Sequence, residues 1–349
     1  MKVLYVRNVD EAYRRGLELL KEEGVRSTSR AGDVIVHPEP VCTVYRYPNE
    51  RVLHDRVRDA NPFFHLMEAL WMLSGSRDAR WLDRFVRDFS SRYAEDDGQM
   101  HGAYGYRWRR HFCDASDESI DQLKIVGLML STDHDTRRAA LAMWDPVADL
   151  GMDKRDIPCN THVYFQTDPR LGYESVLNMT VCCRSNDIIW GAYGANAVHM
   201  SVMGEVVAGL AGMKLGTYRQ ISNNYHAYMD LFDKLSREIY STSRVQWTNP
   251  YSSYLEAPTP IVSGTTVEER MTSAEAVLRD CEALVNNETE TIFETPFFWD
   301  VVRPMWDSHT LYRVGMHTKA VDRCLAIRSR DWREATREWL VRRQAGKKS

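Results

Sequence analysis

The segment DIPCNTHVYFQ at 156–166, continued by LNMTVCCRSNDIIWGAYGANAVH at 177–199, decides how this chain is interpreted. Its apolar runs Val163–Phe165 and Val176–Val181 predict two strands, and the intervening TDPRLGYES is typical of a turn. Cys159 follows a proline just before the first strand, and Arg184 and Ser185 follow the second strand. A thiol, a guanidinium and a hydroxyl in this order indicate a site for an anionic substrate. The alternative is a core cysteine and a surface Arg-Ser pair.

The composition excludes several classes of protein. The chain has 349 residues, enough for one large domain or two small ones, and it is 44% hydrophobic and 27% charged, as soluble globular proteins are. Its net charge of −4 gives no basic field, so we expect no nucleic-acid partner, and any phosphate must be held by local arginines.

The seven cysteines show no repeating spacing, which predicts neither a disulfide framework nor a metal site. The sequence MKVLYVRNVDEAY has no signal-peptide core, and no apolar run approaches the ~18 residues needed to span a bilayer. We therefore expect a soluble cytoplasmic protein in a reducing compartment (the host cytoplasm if it is viral) with no membrane partner.

Hydrophobic periodicity and capping signals predict an α+β fold. The predicted helices are Asp10–Glu23, a segment between Asn61 and Gly75, Ala79–Phe89, Ile120–Leu130, Ala197–Leu210, Asp230–Tyr240, Val267–Asn286 and Thr318–Arg343. Residues 96–111, DDGQMHGAYGYRWRRH, are predicted to be a loop. Glu68 lies inside the apolar face of its helix, where a carboxylate is either paired or functional.

Six segments, taken in order, resemble the thymidylate synthase superfamily and within it the pyrimidine nucleotide (dUMP/dCMP) hydroxymethylases. They are FFHLMEALWMLSG (63–75), DGQMHGAYGYRW (97–108), DTRRAALAMW (135–144), IPCN (157–160), CRSNDIIWGAYGAN (183–196) and NNYHAY (223–228). The resemblance implies a mixed β-sheet packed with helices and a sheet face that forms a homodimer interface. It also implies one catalytic domain over residues 1–349, in which a helical region at about 243–349 is divergent.

The resemblance gives the catalytic residues as Cys159, Glu68, Tyr104, Asn160 and Asp187. Addition of a thiolate at C6 of a pyrimidine turns C5 into a nucleophile, which is the reason such a site needs a cysteine. A thiolate needs positive charge nearby, and Arg184 is the candidate. Glu68 with a water, and Tyr104, would remove the C5 proton and polarise the base.

The same resemblance gives the residues that hold a deoxypyrimidine monophosphate. They are Arg30 (with Arg26 as a competitor), Arg137 and Arg138 (which reach into the neighbouring subunit), Arg184, Ser185, Asn196, His226 and Tyr228. Arginine forks match the geometry of a phosphate. His226 and Tyr228 are two apart on a predicted strand, so both face the same side, where they would read the deoxyribose.

The implied cofactor is 5,10-methylenetetrahydrofolate, with Ser90, Asp187 and Gly191 on the folate side. Three departures from the synthases favour water over hydride at the last step. Asn160 stands in place of a histidine, Ser90 aligns with a tryptophan, and the sequence ends in a charged RRQAGKKS instead of a short apolar tail.

The base is expected to be read by Asn196, whose amide suits uracil. The resemblance implies a fixed spacing between Asp187 and the residue that reads the base, and that spacing would put Ala195 there. Compared with the family, this chain has one extra residue between Asp187 and Asn196. We therefore predict C5 hydroxymethylation of a deoxypyrimidine monophosphate, with dUMP favoured and dCMP possible. The alternatives are a thymidylate synthase and a non-catalytic nucleotide-binding protein.

Overall fold

A computed structural model describes residues 1–168, 176–237, 250–252, 257–286 and 292–345. Most of the predicted turn TDPRLGYES lies outside the described residues, as do the end of the helix predicted to reach Tyr240 and the last four residues of RRQAGKKS.

Within the described residues, eight strands form one mixed sheet. They are β1 (Lys2–Val6), β2 (Val25–Ser29), β3 (Gly32–Val36), β4 (Val41–Tyr45), β5 (Ala140–Ala142), β6 (Asn160–Thr167), β7 (Val176–Asp187) and β8 (Lys214–Tyr228). The order is β1-β4-β8-β7-β6-β5, and the β2–β3 hairpin joins the sheet where β3 pairs with β8. Strand β7 is parallel to β8 and β1 to β4, whereas the other pairs are antiparallel.

The register of the central strands brings distant segments of sequence together. Asn160 on β6 pairs with Cys183 on β7, and Asp187 at the end of β7 pairs with His226 on β8. Because neighbouring strands lie about 4.8 Å apart, the turn that carries Cys159, the segment with Arg184 and Ser185 on β7, and the segment with His226 and Tyr228 on β8 lie close together.

Twelve α-helices are found in the described part of the chain. They are α1 (Val9–Glu23), α2 (Pro62–Leu73), α3 (Phe89–Tyr93), α4 (Tyr104–Arg109), α5 (Gln122–Thr132), α6 (Pro146–Asp149), α7 (Asn196–Leu210), α8 (Met229–Arg237), α9 (Val267–Val285), α10 (Arg303–Arg313), α11 (His317–Cys324) and α12 (Arg330–Ala345). Every residue of α7 is buried, which fits its apolar sequence and makes it the central helix of the core. Helix α2 begins at Pro62, within the predicted segment, and the side chain of Asn61 before it accepts the Phe64 N–H.

The α+β class with a mixed sheet is confirmed, but several predicted elements were wrong. The predicted helix Ala79–Phe89 is a 3₁₀ segment (Ala79–Arg84) followed by α3, because Asp88 adopts a left-handed φ of 57° that interrupts the helix. The predicted loop 96–111 contains α4. The predicted helix Thr318–Arg343 is two helices, α11 and α12.

The C-terminal helices pack on the elements that carry the candidate site. Helix α9 lies against α7 and α2, and α12 also lies against α2. One hydrophobic cluster contains buried side chains from Leu4 to Leu340, so residues before and after position 243 contribute to the same core. The assignment of residues 1–349 to one domain remains a prediction. No helix among the described residues combines the length and apolar composition needed to cross a bilayer.

Candidate active site

The turn that carries Cys159 is braced by Tyr104. The Tyr104 hydroxyl oxygen accepts the backbone N–H of Cys159 at 3.2 Å and that of Asn160 at 3.3 Å. Tyr104 lies at the start of α4, in the segment that the sequence predicted to be a loop. Since the hydroxyl accepts both of these bonds, its own proton remains available to a bound base.

Arg184 holds the same turn from the other side. Its Nε donates to the Pro158 carbonyl oxygen at 2.9 Å, its Nη2 donates to that of Ile157 at 3.0 Å, and its backbone N–H donates to the Cys159 carbonyl at 2.8 Å. The side chain is exposed, so the guanidinium also remains accessible to an anion.

The electrostatics at Cys159 differ from the expectation. Burial raises the pKa of the thiol above its ordinary value; Arg184 opposes this increase and Asp156 adds to it. The guanidinium therefore favours the thiolate, whereas burial and the charge of Asp156 oppose it.

Glu68 is buried on α2 and faces α7. Its Oε2 lies 3.0 Å from His199 Nε2, although the ring N–H is not aligned with the oxygen for a hydrogen bond. His65, one turn earlier on α2, is also buried, and burial together with Arg58 and His199 holds its pKa well below the ordinary value. His65 and His199 were not identified from the sequence. His65 lies three residues before Glu68 and His199 three residues after Asn196, and this spacing, which places each pair on one face of a helix, was the signal that could have found them.

Asn160 is fully buried, and neither its amide nitrogen nor its amide oxygen has a hydrogen-bond partner among the described residues. Such orphaned buried groups are uncommon in native proteins and call for an explanation. The amide adjoins the thiol in sequence, and it is available to a bound base or to an ordered water.

Asp187 and Asn196 are joined by a π-helical segment, Ile188–Ala195, which leads directly into α7. A π-helical turn absorbs one additional residue and is frequent at functional sites. The Asp187 carboxylate caps this segment by accepting the N–H groups of Ile189 at 3.1 Å and Trp190 at 3.0 Å. Burial raises the pKa of Asp187.

Asn196 is thereby placed beside Asn186, to which its Nδ2 donates at 3.3 Å. Gly191 permits this pairing, because a Cβ there would lie 2.8 Å from Asn186 Oδ1 and 3.4 Å from Asn196 Nδ2. Ala195, the residue favoured by strict spacing, instead lines the cavity described below.

His226 and Tyr228 face the same side of β8, with ring centroids 5.6 Å apart. Ser185 lies opposite Asn224 in the register of β7 and β8. Arg30, at the exposed tip of the β2–β3 hairpin, is close enough to Tyr228 to lower its pKa, although burial of the phenol raises that pKa overall.

Arg137 and Arg138 do not join this group of residues. Both are exposed, and Arg137 lines a separate cavity of about 330 Å³ with Tyr164, Thr180 and Arg219. This second cavity lies on the face of the sheet opposite the core, since the intervening residues Val163 and Val181 are buried.

A cavity of about 850 Å³ opens beside Glu68, Asp187 and Tyr228. Aromatic side chains (Phe64, Phe89, Tyr93, Trp190) and three arginines (Arg58, Arg92, Arg343) contribute to its wall. Arg58 lies over the Trp190 ring at 4.3 Å from the centroid and donates to the Ile189 carbonyl at 3.0 Å. An aromatic cavity with cations suits a flat heterocycle that carries carboxylates.

Ser90 is held by Asp83. Its hydroxyl donates to Asp83 Oδ2 at 2.6 Å and its backbone N–H donates to Asp83 Oδ1 at 2.8 Å, and it does not line this cavity. A hydroxyl that donates to a carboxylate can still accept a bond from a water, so the role expected of Ser90 stays a prediction. The neighbours Phe89 and Tyr93 occupy the wall instead.

The charged end of the chain contributes to the same cavity. Arg343 on α12 lines the cavity, and its guanidinium donates to both oxygens of Asp59 at 3.0 Å. Arg342 also donates to Asp59 Oδ1 at 2.8 Å but is not part of the wall. Burial raises the pKa of Asp59, but bonds and charges from Arg343 and Arg342 outweigh burial and lower it overall.

The model of the thymidylate synthase family matches residues 49–253. The chain therefore belongs to the thymidylate synthase family. The matched range contains the turn that carries Cys159, the central strands β6, β7 and β8, and α7. Within the described residues, no cluster of three or more histidine, cysteine or acidic side chains is arranged to hold a metal ion.

Two phage proteins named deoxyuridylate hydroxymethyltransferase are among the relatives. That of Pseudomonas phage M6 is 41% identical over 353 aligned positions, which cover 99% of this chain and 95% of the relative. That of Bacillus phage SP01 is 32% identical over 206 positions, 57% of this chain and 52% of the relative. A thymidylate synthase of Corynebacterium aurimucosum is 27% identical over 180 positions, 51% of this chain and 63% of the relative.

Proposed function

We propose that this protein hydroxymethylates C5 of dUMP by way of a covalent adduct of Cys159. The similarity to the deoxyuridylate hydroxymethyltransferase of Pseudomonas phage M6 over 99% of the chain carries the proposal. The geometry around Cys159 supports it, because Tyr104 and Arg184 hold the thiol in a fixed turn.

In the first step the Cys159 thiolate adds to C6 of the base and the Tyr104 hydroxyl donates toward the carbonyl oxygen at C4. Arg184 stabilises the thiolate and offers its exposed guanidinium to the phosphate, together with Arg30 and Ser185. Asn196 and Asn160 supply amides to the edge of the base, and His226 and Tyr228 contact the sugar.

The cavity beside Glu68 fits 5,10-methylenetetrahydrofolate, since its aromatic wall suits the pterin and Arg58, Arg92 and Arg343 suit the glutamate carboxylates. When bound, the folate supplies a one-carbon unit at the oxidation level of formaldehyde. Asp187 and Gly191 shape the segment that borders this cavity, and Glu68 accepts the proton that leaves C5.

The active assembly is a homodimer that pairs the open faces of two sheets. Tyr164 is 48% exposed on that face, and Arg137 and Arg138 project from the adjoining turn. In this arrangement each pair of arginines reaches the phosphate bound by the partner subunit. The protein acts in the cytoplasm, which is the host cytoplasm if the source is a virus.

The experiment compares dUMP and dCMP, each incubated with the protein and methylenetetrahydrofolate. Mass spectrometry identifies the nucleotide, and absorbance follows dihydrofolate. We expect 5-hydroxymethyl-dUMP, a lower kcat/KM for dCMP, and no stoichiometric dihydrofolate, because no hydride leaves the folate. Thymidylate formed one-to-one with dihydrofolate would overturn the proposal in favour of a thymidylate synthase.

A further inference from the structure

Three buried polar side chains form a hydrogen-bonded chain that ends at Asn196. Asn196 Nδ2 donates to Asn186 Oδ1 at 3.3 Å, and Asn186 Nδ2 donates to Ser222 Oγ at 3.0 Å. The exposed fractions of Asn196, Asn186 and Ser222 are 8%, 3% and 2%. Bulk water therefore competes little with these bonds, and the two amides are held in a defined direction. The mechanism above gives Asn186 and Ser222 no role.

The strand register places this chain near the turn that carries Cys159. Ser222 on β8 pairs with Cys183 on β7, and Cys183 pairs with Asn160 on β6, the residue after Cys159. Two strand spacings, about 10 Å, therefore separate the backbones of Ser222 and Asn160. The hydrogen-bonded chain leads from this part of the sheet to Asn196, which begins α7. It thus connects the surroundings of the proposed nucleophile to the residue proposed to read the base.

Asn196 alone does not distinguish uracil from cytosine. Its amide has a donor side at Nδ2 and an acceptor side at Oδ1. Uracil offers the N3–H donor and the O4 acceptor, whereas cytosine offers the N3 acceptor and a donating amino group at C4. A half turn about the Cβ–Cγ bond of Asn196 would exchange the two sides of the amide and match it to either base. A preference for uracil must therefore come from whatever fixes this rotation.

The contact with Asn186 fixes the rotation. Asn186 presents Oδ1, which only accepts, so Asn196 must direct Nδ2 toward it. The second hydrogen on Asn196 Nδ2 and the lone pairs of its Oδ1 are then left for the base, and this pattern matches O4 and N3–H of uracil. A half turn of Asn196 would set two amide oxygens against each other. Relief by a half turn of Asn186 would require the Ser222 hydroxyl to change from acceptor to donor.

We propose that Asn186 is a positioning residue that holds the Asn196 amide in the orientation that reads uracil and thereby sets the preference for dUMP over dCMP. This inference rests on the proposed function, in which Asn196 supplies its amide to the base. Ser222 supports the arrangement by holding the Asn186 amide in turn. Gly191 leaves room for it, because a Cβ there would lie 2.8 Å from Asn186 Oδ1.

The test measures a ratio, kcat/KM for dUMP divided by kcat/KM for dCMP, with methylenetetrahydrofolate and mass spectrometry of both products. The variants are Asn186→Ala, which removes the amide, and Asn186→Asp, which keeps an acceptor oxygen in its place. The matched control is Asn178→Ala, which removes a buried amide from the same strand, where Asn178 Oδ1 accepts the Thr217 N–H at 2.8 Å. Calorimetry with dUMP and with dCMP, without folate, gives the corresponding ratio of affinities.

We expect Asn186→Ala to lower the ratio by roughly tenfold or more, because a water in the vacated space can donate or accept and no longer selects one orientation of Asn196. The loss should fall on dUMP and not on dCMP. Asn186→Asp should keep the ratio within about threefold of the wild type, even where both rates decline, because its carboxyl oxygen still accepts from Asn196 Nδ2. Asn178→Ala should lower the free energy of unfolding in urea and leave the ratio unchanged.

Ser222→Ala provides a second test that does not depend on the folding of Asn186→Ala. It removes the acceptor of Asn186 Nδ2 and so allows the Asn186 amide to turn. We expect the ratio to fall by about threefold or more. An unchanged ratio in Ser222→Ala would mean that the chain of bonds does not hold the Asn196 amide.

Separate results would overturn the inference and the proposed function. An equal loss for dUMP and dCMP in Asn186→Ala would leave Asn186 with a structural role only. A ratio that falls as far in Asn186→Asp as in Asn186→Ala would show that the acceptor oxygen does not select uracil, and an equal fall in Asn178→Ala would show that the effect is not specific to Asn186. Thymidylate and dihydrofolate from the wild type would overturn hydroxymethylation, while the ratio in the variants would still decide the role of Asn186. A wild-type preference for dCMP would overturn both.

Discussion

The Arg184 guanidinium donates to the carbonyl oxygen of Pro158 at 2.9 Å, so the arginine proposed to bind phosphate also holds the turn that carries the nucleophile. Substrate charge and thiol position are thereby connected through one side chain. A phosphate that binds Arg184 acts on a group already fixed in place, which reduces the ordering that binding requires.

The nucleophile gives the first prediction. Cys159→Ser should abolish turnover and leave dUMP affinity within about tenfold, because only covalent addition requires the thiolate. Turnover is measured by mass spectrometry and affinity by calorimetry. Retention of more than a few percent of the wild-type rate would show that another group attacks C6.

The shared phosphate site gives the second prediction. Cys159→Ser and the double variant Arg137→Ala/Arg138→Ala should each be inactive alone, but a mixture that has exchanged subunits should recover about a quarter of wild-type activity. The recovery arises because half of the dimers then contain one site with an intact Cys159 and intact arginines from the partner. A mixture no more active than its components, or an active monomer in sedimentation, would contradict the shared site.

The end of the chain gives the third prediction. Arg343→Ala should raise the KM for methylenetetrahydrofolate by about tenfold, since removal of one charge-assisted bond costs roughly 1.4 kcal/mol or more. Arg342→Ala is the control, because both arginines pair with Asp59 but only Arg343 lines the cavity. Equal increases of this KM in the two variants would mean that the KM depends on the pairing with Asp59 and not on the contribution of Arg343 to the cavity wall.

The pH dependence of stability gives the fourth prediction. A carboxyl group whose pKa rises on folding, here from 3.8 to about 6 for Asp156, holds its proton more tightly in the folded state. Its contribution to stability is present below about pH 4 and is lost as the pH rises through about 6. Asp156→Asn should therefore raise the free energy of unfolding at pH 8 by up to about 3 kcal/mol and change it little at pH 4. Urea denaturation at both pH values measures this, and an equal gain at both would refute the reasoning.

The positions of several candidate site residues could be predicted because their signals are local. Strand alternation placed His226 and Tyr228 on one face, whereas the roles proposed for Cys159, Arg184 and Ser185 come from the family resemblance and stay predictions. Helix α2 was recognisable from Asn61, Pro62 and the apolar run that follows them.

The remaining features depend on contacts between distant residues. Strand β2 is exposed along its whole length and owes its conformation to pairing with β3. The Ser90 hydroxyl is engaged by Asp83, and the environment of Asp156 depends on Gly102 and Glu68. Neither propensity nor periodicity encodes such contacts.

The pairing of Asp59 with Arg343 joins residues 284 positions apart. The proposed nucleotide ligands of one subunit all precede residue 229, whereas the wall of the neighbouring cavity is completed only by α12. A truncation that removes α12 would therefore take Arg343 from the wall of this cavity while every proposed nucleotide ligand stays in the chain. The two substrates thus depend on different lengths of the polypeptide for the side chains proposed to bind them.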